Sequence, residues 1–464
     1  MKRRKFIHNA SCAAMGSSTM LSTLLNLKAA NAASIANSTV VKDGDYKALV
    51  CILLQGGNDS FNMLMPRTGQ PYQEYKTTRS NLALKSEDML PITPKTSNGR
   101  DFGLHPSLQN VKRMFDEEKV AFLANVGTLV EPTTPDDFFA ETVKLPLGLL
   151  SHSDQVQHWQ TAFPQDRSAL GWGGKISDLI GDMNNNQSIS MGISMNGNNT
   201  FQAGKNAIAY AVDPVEGPQG IEGYLADDGF GRIRTKAIDD ILGQNYADLY
   251  EKTYIDVIKN SRDTFLQFND ALKQIPTDGI IYPTDEWQVG ESFNMVKNTI
   301  AAHNILDLQR QTFFISFEGW DHHDEVLDAQ TAQFSALDRA LDSFQKSMVA
   351  QGLEDSVTTF VISDFARTLT SNGNGTDHAW GGNVFALGGA VKGGDIYGKY
   401  PNISLKDDSD LGGGIFVPGI SADEYFAELA LWFGVPATDL PLIFPNIRNF
   451  YNLNSGQYPL GFLT

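Results

Sequence analysis

The sequence predicts an α/β fold built on a large, mostly parallel sheet flanked by helices. Three observations carry this reading. Short, nearly continuous apolar runs of strand length recur along the chain, a long amphipathic helical stretch separates two of them, and polar, glycine-rich segments follow directly. A strand buried on both faces reads as an unbroken apolar run, and strand, crossover helix, strand is the sequence form of a parallel sheet.

Lys47–Leu54 (KALVCILL) is the first such run and ends in the glycine-rich turn Gln55-Gly56-Gly57-Asn58-Asp59-Ser60. Pro106 to Lys119 reads as a helix with proline near its start, followed by a second buried strand at Val120–Val126. Thr312–Phe317 and Val357–Ile362 are two further runs. Between them Leu327, Phe334, Leu337, Leu341, Phe344 and Met348 recur at helical spacing, as in an amphipathic crossover helix. Ala422–Phe433 reads as a closing helix with Ser421 as N-cap. Residues 180–290 mix Asn/Gly-rich turns with one long helix expected from about Ala237 to Leu272. This stretch is expected to be an insertion or cap within one elaborated domain spanning 33–464.

Composition narrows the function classes. The chain has 464 residues, 41% hydrophobic and 19% charged, enough to bury a sizeable core. Its formal charge of −18 argues against a nucleic-acid binder, which needs excess Lys and Arg to replace phosphate counterions. The first 32 residues read as an export signal. Lys2, Arg3, Arg4 and Lys5 form a basic start, an Ala/Ser-rich stretch runs from Ala10 to Leu27, and Ala30-Asn31-Ala32 offers a cleavage site. The paired arginines resemble a twin-arginine signal, which implies export to the periplasm, cell surface or exterior. Cleavage leaves no apolar run long enough for a transmembrane anchor. It also leaves Cys51 as the sole cysteine, so no intrachain disulfide can form.

The chemistry-bearing residues sit just after the apolar runs, where open α/β sheets bind their ligands. After the first run comes Asn58-Asp59-Ser60, and after the third Asp321-His322-His323-Asp324. After the fourth comes Asp364-Phe365-Ala366-Arg367, with Asp377-His378 in a nearby glycine-rich loop. Carboxylates and imidazoles converging from several strand ends make a ligand set for zinc, manganese or a similar divalent ion. Ser151-His152-Ser153-Asp154 precedes an expected helix, so Ser151 reads either as a plain N-cap or as a nucleophile at a helix start. His158 and Trp159, one turn further on, read as packing residues.

Taken in order, several segments resemble the exported "domain of unknown function 1501" family. They are the twin-arginine leader, Gly57-Asn58-Asp59, Leu104-His105-Pro106-Ser107-Leu108, Ser151-His152, Gly319-Trp320-Asp321-x-His323, Ser363-Asp364-Phe365-x-Arg367-Thr368 and Gly375-Thr376-Asp377-His378. That family is similar to the alkaline phosphatase/sulfatase superfamily. The resemblance implies an alkaline phosphatase-like fold with a metal site at the strand ends. It also implies roles for individual residues. Asp59 resembles the first metal-binding Asp, Ser151 the nucleophile, and Asp321, His323 and His378 the ligands of one ion. Asp364 matches the Asp of an Asp-His pair, but Phe365 stands where the imidazole is expected. A second ion would then be left with oxygen ligands from Asp59, Asp364 and Ser151, suited to calcium or magnesium. Arg367 is expected either to hold an anionic ester in its place or to pair with a local carboxylate, His152 to orient the nucleophile or bind a leaving-group oxygen, and His322 to face solvent or stand behind the ligands. Asp377 completes the candidate metal-binding set.

The expected function is an exported, metal-dependent hydrolase of phosphate or sulfate esters, acting on a small-molecule or glycan ester. The alternative is a non-catalytic metal- or glycan-binding component of a cell-surface assembly with a partner protein.

Overall fold

The computed structural model describes residues 45–96, 100–405 and 408–464. The leader and its cleavage site lie outside these residues. Thirteen strands are found among them: β1 (Lys47–Leu54), β2 (Leu64–Pro66), β3 (Leu90–Ile92), β4 (Phe102–Leu104), β5 (Val120–Gly127), β6 (Gly192–Ser194), β7 (Tyr210–Asp213), β8 (Gly217–Pro218), β9 (Arg310–Phe317), β10 (Val357–Ser363), β11 (Gly382–Leu387), β12 (Asp395–Tyr397) and β13 (Ile420–Ser421). Ten form the main sheet in the order β12-β5-β11-β10-β1-β9-β6-β7-β8, with β13 paired to β5. β2, β4 and β3 make a small separate antiparallel sheet.

β1 is the centre of the main sheet. It pairs in parallel with β10 on one side and β9 on the other, so Leu54 lies beside both Ser363 and Phe317. Its apolar run is continuous because alternate residues enter two different cores. Ala48, Val50, Ile52 and Leu54 pack on one face, whereas Leu49, Cys51 and Leu53 pack on the other. The helix Val326–Ala350 covers the first face through Phe334, Leu337, Leu341, Phe344 and Met348, carrying the chain from β9 over β1 to β10. The helix Ala422–Phe433 covers the second face through Tyr425, Phe426, Leu429 and Phe433. It opens as expected on Ser421, whose hydroxyl accepts from Asp423 N while Glu424 accepts from Ser421 N, a reciprocal capping box.

The fold is thus α/β, with a large and mostly parallel sheet flanked by helices. β11 is the exception in the centre, pairing antiparallel with both β10 and β5. That reversal brings the segment preceding β11 to the carboxyl end of β10, and His378 with it.

Two expectations of local structure are corrected. The helix expected from 106 begins only at Gln109 and ends at Asp116. The single long helix expected from Ala237 is two helices, Gly229–Leu242 and Leu249–Leu272. Gly243 interrupts the periodicity, and Asp248 restarts it by accepting from Tyr250 N and Glu251 N. Much of this helical pair is exposed, including Phe230, Ile233, Leu249 and Tyr250.

The turn after β1 is where the sheet meets the candidate site. Gly56 and Gly57 have φ of +121° and +87°, and a Cβ on Gly56 would lie 2.4 Å from Asp321 N. Only glycine permits both the backbone and the approach. Gly56→Ala should therefore lose about 1–3 kcal/mol to backbone strain alone and more to the clash. Denaturant unfolding should show this together with displacement of the Asp321 loop.

Candidate metal centre

The loops after β1, β9 and β10, the segment before β11 and the start of the helix His152–Thr161 meet at one end of the sheet. Three imidazoles and one carboxylate face one another there. His378 Nε2 lies 3.0 Å from His152 Nε2 and 3.0 Å from His323 Nε2. Asp321 Oδ1 lies 3.4 Å from His152 Nε2, 3.2 Å from His323 Nε2 and 3.7 Å from His378 Nε2.

Each ring is held from behind through its other nitrogen. His152 Nδ1 is 2.7 Å from Asp364 Oδ2, His378 Nδ1 is 2.8 Å from Leu150 O, and His323 Nδ1 is 3.3 Å from Asp377 Oδ1. A carbonyl or carboxylate oxygen can only accept, so the Nδ1 of His152 and of His378 each donate. In the neutral rings both Nε2 lone pairs then point at each other across 3.0 Å. That arrangement is repulsive unless a cation or a proton sits between them.

The donor set fits a divalent ion on these grounds. Ligand atoms that share one tetrahedral ion with metal–nitrogen bonds near 2.0–2.1 Å lie roughly 3.3–3.4 Å apart, and the separations among His152, Asp321 and His378 are 3.0, 3.4 and 3.7 Å. His152, Asp321 and His378 place one ligand atom each within 4.8 Å of one another. Partners behind the ligating imidazoles are the usual device for fixing tautomer and direction.

Electrostatics and burial divide the site into a sealed back and an open front. Asp364 and Arg367 are fully buried, while the side chains of Asp321 and His323 are 48% and 45% exposed. The hydrogen bond to Asp364 raises the His152 pKa above the ordinary imidazole value against the effect of burial. Burial alone would raise Asp321, but hydrogen bonding and charge from Arg367 hold it below the usual carboxylate range. Burial lowers the His378 pKa, with Arg367 and the neighbouring histidines adding to the effect.

The sequence-derived residues are therefore distributed as follows. Asp321, His323 and His378 come together, and His152 joins them with its Nε2 in the donor cluster. Asp364 and Asp377 stand behind the imidazoles, and Asp364 Oδ1 also accepts from Gly56 N at 3.0 Å. Asp59 is held elsewhere: its carboxylate pairs with the fully buried Arg79, which arrives from the helix Gly69–Arg79. Arg367 is likewise committed. It donates to Gly57 O at 2.9 Å, Thr376 O at 3.1 Å, Gly56 O and Asp321 Oδ1, so its fork is not open to an anionic ester. His322 is buried, 6% exposed, instead of facing solvent. His158 is buried with Nε2 2.7 Å from Leu147 O, a packing role as expected.

Phe365, where an imidazole was expected, is a wall. Its ring centroid lies 4.7 Å from that of His152 and 4.5 Å from that of His378. Ser151 is the N-cap residue of the helix His152–Thr161, but its hydroxyl makes no capping bond and lies 3.1 Å from Ser153 Oγ. Leu150 and His152, on either side of Ser151, both touch the cluster. Nothing in the local sequence separates His152 from an ordinary residue of a first helical turn, because its partners lie over two hundred positions away.

A proton competes with a metal ion for the Nε2 of His152. Metal affinity should accordingly fall as pH drops through the raised His152 pKa and recover above it. Asp364→Asn should move that loss to lower pH and weaken binding about 10- to 100-fold at high pH. Competition titration of a divalent ion across pH 5–9 reads both effects.

In comparisons with solved structures, the chain is similar to the PsFucS1 sulfatase from Pseudoalteromonas sp., with 9% identity over 88% of this chain and 72% of that one and a TM-score of 0.36. It is also similar to the lipoteichoic acid synthase LtaP from Listeria monocytogenes, with 8% identity over 82% and 78% and a TM-score of 0.30. A third is a single-site mutant of the TAB5 alkaline phosphatase, with 12% identity over 74% and 91% and a TM-score of 0.25. No match was found among curated proteins. Residues 260–411, which hold Asp321, His323, Asp364, Arg367 and His378, match the family model described as "Protein of unknown function (DUF1501)", which bears out the resemblance to that family for the motifs around these residues; the leader, Gly57-Asn58-Asp59, residues 104–108 and Ser151-His152 lie outside the match.

Proposed function

We propose that the chain is an exported, metal-dependent hydrolase of phosphate or sulfate esters, with His152, Asp321 and His378 holding a single divalent ion, His323 beside them, and Ser151 as the nucleophile. One observation carries the reading: three imidazole Nε2 atoms and one carboxylate oxygen face each other, with Ser151 flanked by two residues that contact the cluster. When bound there, a divalent ion polarises an ester oxygen and stabilises developing negative charge. Imidazole-rich ligation favours zinc over calcium or magnesium.

The chain's own residues account for the remaining requirements. Ser151 leaves the first-turn N–H groups of the helix His152–Thr161 without its side chain as a cap, so they remain able to receive an ester oxyanion. Its hydroxyl, freed from capping, loses its proton to solvent and attacks the phosphorus or sulfur in line. The ester bond breaks on the opposite side, the leaving oxygen takes a proton from solvent to give the alcohol, and water then hydrolyses the seryl ester to restore Ser151. Asp364 fixes the His152 ring and Leu150 O fixes the His378 ring, so the cluster and the nucleophile share one rigid segment. Export rests on Arg3-Arg4 and the Ala30-Asn31-Ala32 site. No helix among the described residues is long and apolar enough to cross a membrane.

A second reading is favoured by a different feature of the same cluster. If His323 joins the other three, four protein donors leave no open position, as in structural metal sites, which suits a non-catalytic metal- or glycan-binding component of a cell-surface assembly. Ligation by His323 separates the two, because His152, Asp321 and His378 alone leave one open position and a fourth ligand closes it.

Ser151→Ala tests the catalytic reading. Hydrolysis of 4-nitrophenyl phosphate and 4-nitrophenyl sulfate by zinc-, manganese-, calcium- or magnesium-reconstituted protein should fall by several orders of magnitude, with metal stoichiometry retained. The double substitution His323→Ala and His378→Ala should abolish stoichiometric metal and lower the melting temperature in its presence. Absence of hydrolysis by the wild type with every metal, alongside one tightly bound ion, would establish the second reading.

A further inference from the structure

A second feature lies beside the cluster and plays no part in it. A cavity of about 600 Å³ opens at the carboxyl ends of β1, β9 and β6, within the roughly 300–1,000 Å³ range of small-molecule sites. Its floor is apolar, from Leu53 and Phe314, both almost completely buried. Its walls are amides. Gln55, Gln157, Gln160 and Asn196 line it, and neither Lys, Arg nor His does.

Each of these four amides is anchored at one end by the protein, so its other end is oriented in advance. Gln55 Oε1 accepts from Ser316 Oγ at 2.9 Å, and Asn196 Oδ1 accepts from Ser316 N at 2.7 Å. Gln160 is 5% exposed, and its Oε1 accepts from Phe201 N at 2.9 Å. In all three the carbonyl end is committed and the NH2 end is left to donate. Gln157 is the reverse: its Nε2 donates to Ser168 O at 2.7 Å, leaving its oxygen as an acceptor. The wall therefore offers three fixed donors and one fixed acceptor above an apolar floor.

We propose that this cavity is a subsite for a neutral sugar unit, the glycosyl part of the ester, an inference that rests on the ester-hydrolase reading of the adjacent centre. Hydroxyl groups both donate and accept, and thus match a mixed set of amide ends. The C–H face of a sugar ring matches Leu53 and Phe314. An anionic group does not belong here, since no cation lines the cavity and the exposed Glu318 carboxylate repels one. The charged ester group is directed to the metal centre and the neutral ring to the cavity.

The spacing suits this division. Gln157 and Gln160 lie on the helix that begins with His152, five and eight residues further on, roughly 8 and 12 Å along the axis. Gln55 immediately precedes Gly56, whose N–H donates to Asp364. Trp320 N, one residue before Asp321, donates to Gln55 O at 3.1 Å. The cavity and the centre therefore share the loops after β1 and β9 and one helix.

The test is titration of the full-length protein with neutral, unesterified glucose, galactose, mannose, fucose, xylose and their disaccharides, by ligand-observed NMR and calorimetry. At least one should bind with a Kd in the millimolar range or tighter. Ala169→Trp, which fills the cavity from an exposed position, should weaken that binding at least about tenfold. Asn196→Ala, also at an exposed position, should do the same, and supplies the readout if the tryptophan variant does not fold. Absence of binding of every sugar at about 10 mM, or unchanged binding by both variants, overturns the subsite. Hydrolysis of the two 4-nitrophenyl esters by the wild type, measured separately, distinguishes the readings. Sugar binding without hydrolysis supports the subsite while removing the ester-hydrolase reading. Hydrolysis without sugar binding removes the subsite alone.

Discussion

The buried guanidinium of Arg367 is the interaction on which the site depends. It is fully enclosed, and it joins the Gly56-Gly57 turn after β1, Asp321 after β9 and Thr376 before β11, while itself belonging to the loop after β10. A cation in such a position is tolerable only when paired and fully hydrogen-bonded. Here three carbonyls and one carboxylate meet that requirement. Because all four segments must be in place for the charge to be satisfied, the ion-pair network holds the strand-end loops in one arrangement.

The same network sets the chemistry. Arg367 keeps Asp321 ionised despite partial burial, and Asp364 raises the proton affinity of His152. A negative carboxylate and three inward-facing imidazoles then occupy a half-exposed mouth in a chain whose formal charge is −18. An acidic surface of this kind raises the local concentration of cations and opposes anions. The committed Arg367 fork offers no free positive charge to an anion. Phe365 completes the device as an apolar plate against two of the rings, and Gly57 is required because a Cβ there would lie 2.6 Å from that plate.

Asp59 and Arg79 form a separate buried pair on the other side of the β1 turn. The two acidic residues that resemble a second metal site are thus each occupied by the protein, Asp59 by Arg79 and Asp364 by His152 and Gly56. Neither carboxylate is left free for a second ion, and Phe365 stands where the resemblance placed an imidazole.

By itself the sequence determined four strands of the main sheet (β1, β5, β9 and β10), the crossover helix, the closing helix and its cap, and the clustering of acids and histidines at strand ends. Those features are local: burial on both faces makes an apolar run, helix packing makes a 3.6-residue period, and a Ser with Glu three residues on makes a capping box. Only the tertiary structure decided which members of each polar cluster face one another. His152 joins the imidazoles, Asp364 and Asp377 stand behind them, and Arg367 and Asp59 are spent on ion pairs, because partners from 20 to over 300 positions away meet only once the sheet has formed. A side chain's residue type is written in the sequence, but its direction is set by strand order, by the antiparallel reversal at β11 and by the competition of buried charges for partners.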